Sequence, residues 1–136
     1  MSKAAIVKWT HAPAKHDYPA AASYLRLLAP AAAVEDLTAQ LEKAPEVQQH
    51  AKDILRAAQL PLLPARDPEV RKVLKKVAHG TRLSPILLVR GDLGSGLPLQ
   101  IADGYHRVCA SYHLSEDTEI PCHLLELSHS SVTAAE

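Results

Sequence analysis

In the run Ile101-Ala102-Asp103-Gly104-Tyr105-His106-Arg107-Val108-Cys109-Ala110, an imidazole and a guanidinium stand two and three places after a glycine, where an apolar stretch gives way to helical spacing. Leu97 to Ala102 is apolar and short enough for a buried strand, while Val108, Cys109, Tyr112 and Leu114 recur at helical intervals. The pattern predicts a strand that ends at Asp103-Gly104 and turns at once into a helix. Unpaired backbone N–H groups and the positive end of the helix dipole make such a start a place for phosphate. Gly104 allows close approach, and His106 and Arg107 add donors, the planar Arg fork suiting two phosphate oxygens at once. Asp103 has two open readings: a helix cap, or a carboxylate near a metal or a hydroxyl substrate.

Other constellations carry less. His106, Cys109 and His113 fall at i, i+3 and i+7 and are zinc-ligand types, but structural zinc sites draw paired ligands from two elements, so no metal is assigned. His11, His16 and Asp17 sit in the polar, Pro-broken stretch Thr10 to Pro19 and read as a surface loop. Asp92 within Gly91 to Gly96 is hairpin-turn chemistry. No Gly-x-Ser-x-Gly elbow is present to carry a Ser-His-Asp triad.

The elements that must position the turn follow from punctuation and periodicity. Ala4 to Trp9 reads as a short strand; Ala20 to Leu28 and Ala32 to Leu41 read as Ala-rich helices parted by Pro30. Val47 to Ala51 reads as a strand, Asp53 to Ala58 as a short helix and Leu60 to Pro64 as extended chain. Asp67-Pro68-Glu69 starts a helix whose apolar face is Val70, Val73, Leu74 and Val77 and which Gly80 stops. Ser84 to Arg90 is the strongest strand signal and pairs as a hairpin with the strand ending at Ala102; Ile120 to Leu127 makes the last strand. Ser128 to Glu136 reads as a loose tail.

With 136 residues the chain has the size of one compact unit. Fifteen basic and fifteen acidic side chains cancel, so no global field favours nucleic acid or an anionic membrane. One Trp, four Tyr and no Phe argue against a stacking platform for single strands. Two cysteines are too few for a disulfide framework and fit a reducing, cytoplasmic setting; no apolar stretch of membrane-spanning length appears.

From Val47 onward, the order of strand, short helix, Pro-rich segment, helix, Pro-started apolar strand, turn, strand, Gly-x-His-Arg helix and Ile-Pro-x-x strand resembles the ParB/sulfiredoxin superfamily over about residues 46–127. Asp103-Gly104-Tyr105-His106-Arg107 is closest to the Asp-Gly form of that family's turn. The resemblance implies an α/β fold with a small mixed sheet and flanking helices, carrying an N-terminal helical extension over 1–45 and a tail over 128–136. It also implies a nucleotide site for ATP, ADP or CTP, with or without Mg²⁺, held by Gly104, Tyr105, His106 and Arg107, with Lys72 and Lys76 of the preceding helix reaching the phosphates. Asp103 and His106 would then serve a phosphoryl-transfer or hydrolysis step. Tyr105 stands where sulfiredoxins carry their cysteine, which disfavours sulfinic-acid reduction. The helix-turn-helix of the partition proteins has no counterpart, so the alternative, a DNA-associated or protein-interaction module, lacks that apparatus. Residues 1–45 are expected to be a lid, an oligomerisation surface that makes a homodimer, or a cover for one sheet face.

Overall fold

A four-stranded sheet with helices on both faces makes up the structure, a computed structural model that describes residues 6–127. The order along the chain is α1 (Asp17–Leu25), α2 (Ala31–Lys43), β1 (Glu46–His50), α3 (Ala51–Ala58), α4 (Pro68–Ala78), β2 (Ile86–Val89), β3 (Gln100–Asp103), α5 (Tyr105–Leu114) and β4 (Glu119–Leu125). Across the sheet the order is β1-β4-β2-β3, antiparallel at β1–β4 and β2–β3 and parallel at β2–β4. The protein is thus mixed α/β, with the β2–β3 hairpin as the sequence predicts.

Strand alternation decides what each face carries. Ile86, Leu88, Ile101, Ile120 and Cys122 turn to one side and pack with Ile54, Leu55, Val70, Val108 and Cys109 of α3, α4 and α5. Leu87, Val89, Ala102 and Leu125 turn to the other and meet Ala21, Leu25, Val34 and Leu41 of α1 and α2. The N-terminal helices therefore cover one sheet face, and β2, apolar at every position, is buried on both.

Several boundaries differ from expectation. α1 starts at Asp17, inside the stretch predicted as loop, and stops at Leu25, leaving Leu27 and Leu28 exposed. The predicted strand Ala4 to Trp9 begins outside the described residues; Trp9 forms an isolated parallel bridge to Leu83 rather than a strand. The predicted tail, 128–136, lies outside them altogether. α4 starts as expected: the Asp67 side chain accepts from the N–H groups of Glu69 (3.0 Å) and Val70 (3.1 Å), with Pro68 at the first helical position.

Candidate functional site

β3 delivers Asp103 to the end of the sheet, and the chain turns into α5 through Gly104, whose φ of +117° is open to glycine alone without strain. A second constraint acts there: a Cβ on Gly104 would fall 2.7 Å from Ile86 Cβ, so β2 passes too close for any side chain. Asp103 does not cap α5. The N-cap is Gly104, with no side-chain cap bond, and the Asp103 carboxylate instead turns sideways to Arg107, one helical turn on.

Arg107 also departs from expectation. Rather than reaching outward as a phosphate fork, its guanidinium is nearly buried and committed within the protein. Nη2 donates to Asp103 Oδ2 at 2.6 Å; Nη1 donates to Ser84 O at 2.9 Å, to Ser84 Oγ, and more distantly to Asp17 Oδ2 at 3.4 Å. Asp17, read from sequence as part of a surface loop, is 3% exposed. It receives the Ala14 N–H at 2.9 Å and the Ser84 hydroxyl at 2.7 Å, and lies 3.3 Å from His16 Nε2. A single cation therefore ties together the start of α1, the approach to β2 and the end of β3.

Two carboxylates sharing one guanidinium do not titrate alike. Burial works against the Asp17 charge, but the Ser84 hydroxyl, Arg107, the Ala14 N–H and Asp103 outweigh it and hold the carboxyl below its usual range. Burial pushes Asp103 up to about 6; Arg107 opposes this, and the adjacent Asp17 adds to it.

This cluster forms the floor of an open cleft of about 480 Å³ between α4, α5 and the segment before β2. Lys76, in the last turn of α4, lines it together with His106, His16, Arg82 and the Gly104 backbone. No carboxylate pairs with Lys76 or His106 among the described residues. Arg82 is anchored by one bond to Trp9 O at 3.2 Å. Lys72, by contrast, lies outside the cleft and pairs with Glu69 at 3.0 Å. Tyr105 also turns away: its hydroxyl donates to Pro61 O at 2.5 Å, and His113 Nε2 meets Leu63 O at 2.7 Å, so that α5 pins the extended Leu60 to Pro64 segment. Cys109 faces the core, where burial raises its thiol, and no metal-binding group of three is formed among the described residues.

The structure thus gathers Asp103, Gly104, His106, Arg107 and Lys76, and separates Lys72 and Tyr105 from them. Sequence reading missed Arg82 and Ser84 as site residues and misplaced Asp17. Asp17 had a signal, an acidic residue two before Pro19 at the head of an Ala-rich helix. No family model, curated protein or solved structure matches the chain.

Proposed function

We propose that the cleft at the start of α5 binds a nucleotide or another phosphate-bearing ligand. The observation that carries this reading is convergence: the uncapped N-terminus of α5 opens into the same cleft as Lys76, Arg82 and His106. Backbone N–H groups at a helix start, backed by cationic donors, favour a phosphate group. The likeness of the Asp103–Arg107 turn to the nucleotide-binding turn of the ParB/sulfiredoxin superfamily supports the same reading. Arg107 acts here as a positioning residue, fixing Asp103 and the β3–α5 turn rather than touching the ligand.

A phosphoryl-transfer or hydrolysis step at this site uses Asp103 as its base, because its carboxyl, at about 6 and on the cleft wall, can take a proton from an attacking hydroxyl near neutral pH. The test is a thermal-shift screen with ATP, ADP, CTP, GTP and inorganic phosphate, each with and without Mg²⁺. A ligand that binds only the folded state stabilises by about 2.7 kcal/mol at a hundred times its Kd. The reading expects saturable stabilisation by at least one of these, removed by His106→Ala or Lys76→Ala. No shift with any ligand from folded protein rejects it.

A further inference from the structure

β1 is an edge strand, and the phase of its hydrogen bonding is fixed by a proline. In the antiparallel β1–β4 ladder Gln48 stands opposite Pro121, which has no N–H to give. The bonded pairs fall at alternate positions: Leu124 N–H donates to Pro45 O at 3.3 Å and Ala51 N–H to Thr118 O at 2.9 Å. In an antiparallel ladder this alternation turns the N–H and C=O groups of Glu46, Gln48 and His50 outward. The strand itself holds no lysine, proline or bulge, its only blunting features being its shortness, the Glu46 charge and the preceding Pro45, and Glu46, Gln48 and Gln49 are exposed. At the opposite edge, β3 contacts α1, and Leu99 N–H, just before the strand, is tied to Ala57 O at 3.1 Å.

We infer that this edge pairs with β1 of a second copy of the same chain, antiparallel about a twofold through Gln48. The sequence Glu46-Val47-Gln48-Gln49-His50 is self-complementary in that register. Gln48 faces Gln48 of the second copy, and Glu46 faces His50 at both ends; within its own chain Glu46 already lies 3.5 Å from His123, and His50 lies 4.0 Å from Glu119 and 3.7 Å from Asp53, so that carboxylate and imidazole alternate across the joined strands on one sheet face. The outward groups match as bonded pairs, giving about six backbone hydrogen bonds and a sheet continuous through both copies. A five-residue pairing is short, so the dimer forms in a concentration-dependent way. The inference is independent of the cleft on α5.

Sedimentation equilibrium of the full chain over a concentration series tests it. The expected mass rises from 14.7 kDa towards twice that value. Gln48→Pro removes an outward donor while sparing the inner ladder, and His50→Glu sets carboxylates against each other; each is expected to raise the dissociation constant about tenfold or more, at unchanged far-ultraviolet circular dichroism. A monomer throughout, or association indifferent to both single substitutions, overturns the inference.

Discussion

Arg107 is the residue whose role changes most between sequence and structure. A Gly-x-His-Arg helix start reads as two outward phosphate donors, and His106 does line the cleft. Arg107 instead turns inward, because besides Asp103 one turn back it is held by Asp17 and Ser84, 90 and 23 positions away in the chain, a separation that no local pattern encodes. Removing one partner of a buried ionic cluster leaves the others uncompensated, so Arg107→Ala is expected to cost about 3–5 kcal/mol in urea unfolding. Asp103 gives a pH signature. Its carboxyl rises from 3.8 to about 6 on folding, so between those values the folded chain holds more protons than the unfolded one. This contribution makes stability fall as pH rises through that window, in the sense opposite to Asp17, whose depressed carboxyl adds stability that is lost on acidification. Asp103→Asn should flatten the window when unfolding free energy is followed against pH. The same substitution removes a negative charge from the cleft wall, so phosphate-ligand affinity at neutral pH is expected to be retained or to increase, while turnover is lost; weaker binding by calorimetry would contradict this assignment.

At the scale of elements, the sequence is most readable where a local rule acts alone. Asp67-Pro68 starts α4 and Gly80, at φ +77°, follows its end, because caps and positive φ are properties of a few adjacent residues. The β2–β3 hairpin is legible for the same reason. α1 is not: Ala-rich composition extends to Leu28, but the helix begins at Asp17, whose carboxylate accepts from the Ala14 N–H beside it and from the distant Ser84 hydroxyl, and it ends at Leu25. Two substitutions test this account. Asp67→Ala removes the acceptor for two N–H groups of α4 and should cost about 0.5–2 kcal/mol in chemical denaturation. Gly104→Ala must carry a Cβ into Ile86 at a φ hostile to side chains; it should cost more than the ~1 kcal/mol typical of a mild glycine replacement, and a neutral result would mean that the β3–α5 turn is looser than drawn.

For the molecule as a whole, the N-terminal helices are joined to the rest both by packing and by charge. Leu41, fully buried, belongs to the cluster formed by Leu87, Val89, Ala102 and Leu125 of the sheet, while Asp17 reaches Arg107 of α5. Composition showed two Ala-rich helices but could not choose between a lid, an interface and a cover, since apolar faces alone do not name their partner; the sheet face left open by α3, α4 and α5 does. Such a joined core predicts one cooperative transition, with Trp9 fluorescence and circular dichroism coincident in urea, and a loss of about 2–5 kcal/mol in Leu41→Ala. Separate transitions would mean that residues 1–45 unfold independently. The cleft at the start of α5 is itself a whole-molecule property, assembled from α4, α5 and the segment before β2 over a floor that α1 completes. Its most direct test is an amide-resolved nuclear magnetic resonance titration with the nucleotides and with inorganic phosphate. The account predicts saturable shifts centred on Gly104, Tyr105, His106 and Arg107, extending to Lys76 and Arg82 and removed by His106→Ala; no saturable shifts, or shifts centred instead on the separate cleft lined by Lys52, Arg56 and Tyr112, would contradict it.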